Sequence, residues 1–248
     1  MPPRLLHTPT GALCDRDALI SHFVNSPAYL ELYSLTSPTQ IRAKISLFFR
    51  FTTLSHRWGI REPLLRDNEG EVIYDLERTE GLAKLQQICL FSLRHKFSWA
   101  WSDTCCIDKD SSAELQAAIG SMFSWYHRSS LTIVYLSDAS DAGSLAGNIW
   151  FKRGWTLQEL LASRALFYMQ DWSPSLNSDA RNHKTGPSML QALEKATGAV
   201  AWYLEDSSPG MDDARSKLHW ESDRSTTRPE DVAYSLFGMF KVHLPAIH

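Results

Sequence analysis

A run of five residues, Ser55 to Gly59, combines side chains suited to binding a phosphorylated ligand. Its sequence is Ser-His-Arg-Trp-Gly, and it directly follows a short apolar and β-branched stretch. The Arg57 guanidinium can bind a phosphate through two hydrogen bonds, the Trp58 indole can stack on a ring, and Ser55 offers a hydroxyl. The competing interpretation is a structural turn with Trp58 buried, and the residue types alone favour neither.

Two acidic residues, Asp103 and Asp108, stand five positions apart around a short loop segment. Carboxylates in such a loop can accept hydrogen bonds from ribose hydroxyls or bind a cation, although an aspartate there more often caps the next helix. Capping is the favoured interpretation for Asp108, whereas Asp103 stays open between the two. Cys105 and Cys106 lie between them, but nothing local supplies the base that a thiol nucleophile needs.

A third segment, Arg153–Leu161, places a large aromatic residue and a carboxylate on one side of a predicted helix. Trp155 and Glu159 are four residues apart and therefore face the same way on a helix. The more ordinary interpretation is a core tryptophan and a surface ion pair between Glu159 and Arg153 or Arg164. Spacing alone favours that ordinary interpretation.

Composition and missing motifs exclude several classes of protein. The 248 residues carry 25 Lys and Arg against 28 Asp and Glu, a formal net charge of −3, which argues against nucleic-acid binding. No GxGxxG, GxxxxGK[ST], HExxH, GxSxG or EF-hand pattern occurs, so a dinucleotide dehydrogenase and a P-loop NTPase are disfavoured. The nine histidines show no metal-ligand spacing, and we expect neither a metal site nor a cofactor.

The location of the protein is predicted from its hydropathy and its cysteines. The longest stretches without Asp, Glu, Lys or Arg have 13 residues each, Ala18–Leu30 and Leu115–His127. A membrane-spanning helix needs roughly 20 apolar residues, so we expect no transmembrane segment. Met1–Arg4 lacks the apolar stretch of a signal peptide, and the four cysteines lack CxxC spacing and are interpreted as free thiols. These features predict a cytoplasmic protein.

Alternating strands and helices must position the three segments. Apolar runs predict strands near 51–55, 99–103, 131–136 and 165–169; helical periodicity and a capping pattern predict helices over 79–97, from Ser111 and over 155–162. The alternation indicates an α/β fold with a mainly parallel sheet flanked by helices. Ligands of such sheets bind beyond the carboxyl ends of the strands, where we expect all three segments to meet.

The chain divides into three predicted parts. A helical lead-in over 1–50 is broken by two prolines, an α/β core spans 51–172, and a helical segment over 173–248 packs on the core. A polar linker opens the last part, in which helices are predicted over Pro187–Thr197 and Pro229–Phe240.

Three ordered motifs resemble the fungal heterokaryon-incompatibility (HET) domain family. Phe51–Gly59 (FTTLSHRWG) is similar to its opening motif, Trp99–Asp110 (WAWSDTCCIDKD) to its central motif and Phe151–Leu161 (FKRGWTLQELL) to its third. Arg228–Met239 (RPEDVAYSLFGM) resembles a segment often found downstream. The resemblance implies an effector of self/non-self recognition that triggers programmed cell death when genetically different fungal cells fuse.

HET domains are considered distant relatives of TIR domains, so the resemblance also implies a TIR-like, flavodoxin-like fold. Many TIR domains hydrolyse NAD through a glutamate in a Trp-Cys-x-x-Glu-Leu pattern. Trp155–Leu160 is similar to that pattern, with Thr156 in place of the cysteine. By this resemblance Glu159 is the candidate catalytic residue of an NAD glycohydrolase, and NAD or a related nucleotide is its substrate rather than its cofactor.

The implied mechanism assigns a role to each candidate residue. Glu159 would hold the ribose hydroxyls and stabilise an oxocarbenium-like transition state at the nicotinamide–ribose bond. Arg57 would contact the pyrophosphate, while Trp58 or Trp155 stacks on a ring. The predicted substrate-binding residues are Ser55, Arg57, Trp58, Gly59, Asp103 and Trp155.

The competing hypothesis is a non-enzymatic signalling module that acts by assembling with itself or with other death-signalling proteins. An enzyme needs Glu159 in a concave pocket, whereas an assembly module tolerates this residue on the surface. The sequence alone does not decide between the two hypotheses.

Overall fold

A computed structural model describes residues 1–140, 145, 147–162, 164–175, 181–205 and 208–242. The described strands form one six-stranded sheet: β1 (Leu5–His7), β2 (Leu13–Cys14), β3 (Phe51–His56), β4 (Trp99–Trp101), β5 (Leu131–Tyr135) and β6 (Ala165–Tyr168). Their order across the sheet is β2-β1-β4-β3-β5-β6. β3 is parallel to β4 and β5 is parallel to β6, whereas β1 is antiparallel to both β2 and β4. The architecture is α/β, with a mixed sheet flanked by helices.

The mixed sheet corrects the prediction of a mainly parallel one. The two unpredicted strands, β1 and β2, have three and two residues and lie in the part of the chain predicted to be helical. Strands this short do not show the alternation by which a sequence reveals a strand. Leu5 and Leu6 are fully buried, and β1 pairs with β4 on one side and β2 on the other. Pairing and burial, rather than local pattern, therefore define this edge.

The four predicted strands are present within a residue or two of their expected ends. Every residue of β3 and β5 is buried, as expected for strands covered on both faces. Ser55 is the last but one residue of β3, so the first candidate segment does follow a strand end.

The described helices are α1 (Arg16–Val24), α2 (Pro27–Glu31), α3 (Pro38–Phe48), α4 (Leu65–Asn68), α5 (Glu80–Arg94), α6 (Ser112–Arg128), α7 (Gly154–Ala162), α8 (Pro187–Thr197), α9 (Ala201–Glu205), α10 (Ala214–Ser222), α11 (Asp231–Tyr234) and α12 (Phe237–Phe240). Thr79 and Ser111 cap α5 and α6 by accepting hydrogen bonds from backbone N–H groups. The helix predicted over Pro229–Phe240 is divided into α11 and α12. None of the described helices is long and apolar enough to span a membrane.

The chain forms two compact units. The first comprises Met1–Thr53 and Trp58–Asp108, and the second comprises Leu54–Arg57 and Lys109–His248. This division reflects compactness alone, and the three parts proposed above from the sequence, 1–50, 51–172 and 173–248, stay a prediction.

The core of the second unit surrounds one tryptophan. Trp150, in the 3-10 helix Ile149–Lys152, is buried and contacts Phe151 and Phe167, with ring centroids 4.9 and 6.0 Å away. Leu157, Leu160 and Leu161 of α7 are buried in the same unit. Trp150 and α7 are therefore held by tight packing, which matters because both contact Ser55.

Candidate functional site

Ser55 and Glu159 are hydrogen-bonded to each other inside the second unit. The Ser55 hydroxyl donates to Oε2 of Glu159, and its oxygen accepts a hydrogen bond from Nε1 of Trp150 at 2.9 Å. Ser55 and Trp150 are buried, and Glu159 is only 8% exposed. Trp150 thus donates to Ser55, and Ser55 donates to Glu159. These two consecutive hydrogen bonds fix the orientation of the Glu159 carboxylate.

Glu159 lies in a buried stretch of α7 in which apolar and polar residues are mixed. Positions 156 to 161 of α7 are all buried, and the other polar ones among them are Thr156 and Gln158. The ordinary interpretation of Glu159 as a surface residue is therefore wrong. A carboxylate kept in such a place needs polar partners, and Ser55 is one of them.

Arg224 holds the start of α7 and was not anticipated from the sequence. Its Nη1 donates to the carbonyl oxygen of Arg153 at 2.9 Å and to Oγ1 of Thr156 at 3.1 Å. Its Nε donates to the carbonyl oxygen of Trp220 at 3.1 Å. Arg224 is 8% exposed, and it follows α10 in a segment without a recognisable motif, so no local signal marks it.

A buried acid accompanies Arg224. Burial raises the pKa of Glu221 to about 7, although the Arg224 cation and a hydrogen bond from Ser235 act in the opposite direction. Burial likewise lowers the pKa of Arg224 to about 10, against the attraction of Glu221 and Glu159. The cation of Arg224 thus interacts electrostatically with the candidate catalytic carboxylate.

Gly154 allows this group of residues to approach the first turn of α7. A Cβ atom at Gly154 would lie 2.6 Å from Oε1 of Glu221 and 2.7 Å from Cγ2 of Thr226, closer than real side chains pack. The Gly154 N–H donates to the carbonyl oxygen of Ser225 at 3.0 Å. A larger residue at this position would have to displace the Glu221 carboxylate or the Thr226 methyl group.

Two other predicted residues, Trp58 and Asp103, are paired in the first unit. Nε1 of Trp58 donates to Oδ2 of Asp103 at 2.9 Å, and Trp58 is 39% exposed. The N–H of Gly59 donates to Oε1 of Glu62 at 2.6 Å. A purely structural turn would require a buried Trp58, but this side chain is exposed. Its indole is held by the hydrogen bond to the Asp103 carboxylate.

The remaining predicted residues have different surroundings. Arg57 is exposed. Trp155 is half-buried and packs against an apolar cluster of Ile119, Tyr234 and Phe237. A core position was the ordinary interpretation for Trp155, and its stacking on a substrate ring stays a prediction.

The loop between β4 and α6 contains Asp108 and the two adjacent cysteines. Ser111, not Asp108, provides the side-chain cap of α6, so the capping role favoured for Asp108 is wrong. Cys105 and Cys106 are fully buried and form no disulfide with each other, with their sulfur atoms 3.8 Å apart. Burial raises the pKa of the neighbouring Cys89 thiol, which makes Cys89 a poor nucleophile.

No metal centre is apparent in the part of the chain that the structure describes. Within these residues, no group of three or more His, Cys, Asp or Glu side chains is placed to hold a metal ion. The expectation that the protein uses no metal stays a prediction.

Comparisons with known proteins identify the family. Residues 51–149 match the family model described as Heterokaryon incompatibility protein (HET), and the chain thus contains a HET domain. A curated relative, Vegetative incompatibility protein HET-E-1 of Podospora anserina, is 36% identical over 215 residues, which are 80% of this chain and 15% of the relative. The chain therefore corresponds to a small part of that protein. No solved structure matches the chain.

Proposed function

We propose that this chain is an effector of fungal heterokaryon incompatibility, which triggers cell death by hydrolysing NAD or a related nucleotide at the nicotinamide–ribose bond. The first part of the proposal is supported by the HET domain and by the name of the relative, which is a vegetative incompatibility protein. The second part is supported by the surroundings of Glu159. We also propose that the protein acts in the cytoplasm and that self-association contributes to its activity.

The observation that carries the enzymatic proposal is the hydrogen bond from Ser55 to Glu159. It holds a mostly buried carboxylate beside Ser55, near the carboxyl end of β3, and parallel strands such as β3 and β4 present ligand-binding residues at that end. Cleavage of the nicotinamide–ribose bond develops positive charge on the ribose. A carboxylate fixed before the reaction stabilises that charge without having to reorganise.

The order of the strands supports a TIR-like assignment. Among the four strands predicted from the sequence, the order in the sheet is second, first, third, fourth. The flavodoxin-like sheet has the order 2-1-3-4-5, and its ligand binds where the order reverses, between the first and third strands. Here those strands are β3 and β5, and Ser55 lies near the carboxyl end of β3.

In the proposed mechanism Glu159 stabilises the ribosyl cation. Ser55 orients the Glu159 carboxylate through its hydrogen bond. Arg57, two residues beyond Ser55, is exposed, and its guanidinium is the group proposed to bind the pyrophosphate. The roles of Trp58, Gly59, Asp103 and Trp155 in substrate binding are those implied by the family resemblance.

The test compares wild-type protein with Glu159→Gln in fungal cells and in solution. The amide keeps the size of the side chain but removes its charge, so nicotinamide release should fall by about a hundredfold. NAD content and survival after expression should then stay at the level of cells without the protein. The matched control is Glu77→Gln, which removes the charge of an exposed glutamate and should behave as wild type.

Two outcomes contradict the proposal. If wild-type protein kills cells without lowering their NAD content, another mechanism causes the death. If Glu159→Gln has a wild-type thermal midpoint and still kills at full strength, the carboxylate is not catalytic, and the assembly hypothesis takes its place.

A further inference from the structure

Arg224 is a buried cation with more contacts to the backbone than to any acidic group. Its Nε and Nη1 donate to the carbonyl oxygens of Trp220 and Arg153 and to Oγ1 of Thr156. Its Nη2 is buried and has no hydrogen-bond partner among the described residues. Because the guanidinium is planar, these bonds fix the direction of the whole group.

The backbone contacts of Arg224 concentrate on the first turn of the helix that carries Glu159. Arg153 directly precedes α7, and Thr156 lies in its first turn. The Thr156 hydroxyl is also 2.6 Å from the carbonyl oxygen of Trp150, the residue whose indole donates to Ser55. Glu159 follows Thr156 by three residues and thus lies on the same side of α7. Arg224 is therefore linked through Thr156 to the backbone of Trp150, and it holds the first turn of the helix that carries Glu159.

Stability alone does not account for an arginine at this position. Removing a guanidinium from water is unfavourable, and apolar residues of similar size often stabilise a core at least as well. One donor nitrogen of Arg224 is left unsatisfied, which adds to this cost. The cation is attracted by Glu221 and by Glu159.

We infer that Arg224 is a positioning residue for Glu159: its hydrogen bonds to the carbonyl oxygen of Arg153 and to the Thr156 hydroxyl fix the first turn of α7, and thereby the position of the Glu159 carboxylate. This inference rests on the proposed NAD cleavage. Arg224 does not touch the substrate, so it should affect the rate of the chemical step and leave substrate binding unchanged.

The experiment measures kcat and KM for nicotinamide release from NAD, with the thermal midpoint of each protein. The variants are Arg224→Lys, Arg224→Met and the control Arg215→Met, which removes an exposed arginine of α10. Lysine keeps the charge but cannot reproduce the three bonds of the planar fork. We expect kcat to fall about tenfold in Arg224→Lys and about a hundredfold in Arg224→Met, the size of effect seen for groups that orient a reactive group. KM should stay within about twofold of wild type in both, since uniform binding is not altered.

The outcomes separate this inference from the proposed function. If wild-type protein releases no nicotinamide, the enzymatic proposal fails and the role of Arg224 falls with it. If wild type is active and Arg224→Lys has the kcat of Arg215→Met, the positioning role alone is wrong. A loss that follows only the folded fraction, judged from the thermal midpoint, also overturns it. Should Arg224→Met not fold, Arg224→Lys decides, because it keeps the buried charge opposite Glu221.

Discussion

The Ser55 hydroxyl donates a hydrogen bond to the Glu159 carboxylate across 104 positions of the sequence. Ser55 lies one residue before the end of a buried strand, and Glu159 lies in the middle of a helix that is buried from position 156 to position 161. Two polar side chains with these positions would each be unfavourable in a core if they stood alone. Their pairing, completed by the Trp150 indole, makes the arrangement stable and defines the candidate site.

Replacing Ser55 with alanine should lower the free energy of unfolding by about 1–3 kcal/mol. The change removes one partner from the buried Glu159 carboxylate and leaves Nε1 of Trp150 without its acceptor. Urea unfolding of Ser55→Ala against wild type measures the loss. Ser34→Ala is the matched control, because Ser34 is exposed and its substitution should change stability by less than about 0.5 kcal/mol. Equal stabilities for the two variants would mean that the Ser55 bond contributes nothing to the fold.

Local sequence patterns predicted the strands that are apolar along their whole length. β5 is the clearest case, because its sequence LTIVY is apolar and β-branched and the run is short, which favours a strand over a helix. α8 was predicted with its observed ends, Pro187 and Thr197, since proline starts a helix and Gly198 follows in the left-handed conformation that ends one. A strong local pattern of this kind is therefore sufficient to predict a strand or a helix from the sequence.

Long-range contacts account for what local patterns did not predict. β1 exists because Leu6 and His7 pair with β4, more than 90 positions away, and nothing in the Leu5–His7 segment alone requires a strand. Arg224 lies 71 positions from Arg153, which it binds, and its segment resembles an ordinary polar loop. The burial of Glu159 was likewise invisible, because its spacing from Trp155 fits a surface glutamate equally well.

A second prediction concerns the buried ion pair between Lys84 and Glu62 in the first unit. Their side chains are 4% and 5% exposed, and Glu62 also accepts the hydrogen bond from the N–H of Gly59. Lys84→Met should lower the free energy of unfolding by about 3–5 kcal/mol, because it leaves a buried carboxylate without its cation.

The double variant Lys84→Met with Glu62→Leu provides the control for this pair. Removing both charges should recover most of the stability, since apolar replacements of a buried ion pair are often neutral. Chemical unfolding of the two variants and of wild type forms the comparison. A double variant no more stable than Lys84→Met would show that Glu62 acts mainly through Gly59 rather than through the lysine.

The raised pKa of Glu221 predicts how stability depends on pH. The folded protein keeps the proton of this carboxyl up to about pH 7, whereas the unfolded chain releases it near its ordinary pKa of 4.5. Between these values the folded state binds more protons, so the contribution of Glu221 to the free energy of unfolding falls as pH rises. Glu221→Gln has no proton to release and should show a smaller fall from pH 4.5 to 7.

Urea unfolding at several pH values from 4.5 to 8 measures this slope. Glu77→Gln is the matched control and should keep the wild-type slope, because Glu77 is exposed. The difference between the two variants isolates Glu221 from other groups that titrate in the same range, such as His7, whose pKa burial lowers to about 4. Parallel curves for wild type and Glu221→Gln would contradict the raised pKa.

Two glycine-to-alanine substitutions should have opposite effects on stability. A Cβ atom at Gly238, in α12, would collide with Cβ of Phe123 in α6, a group too close to the backbone to move aside. Gly238→Ala should therefore destabilise the protein by about 1–3 kcal/mol, the usual effect of overpacking.

Gly120, in the middle of α6, has nothing within 4 Å of its added Cβ. Gly120→Ala should raise stability by about 0.4–1 kcal/mol, because alanine favours the helix and restricts the unfolded chain. Urea unfolding of both variants tests the pair, and stabilisation by Gly238→Ala would mean that α12 does not pack on Phe123.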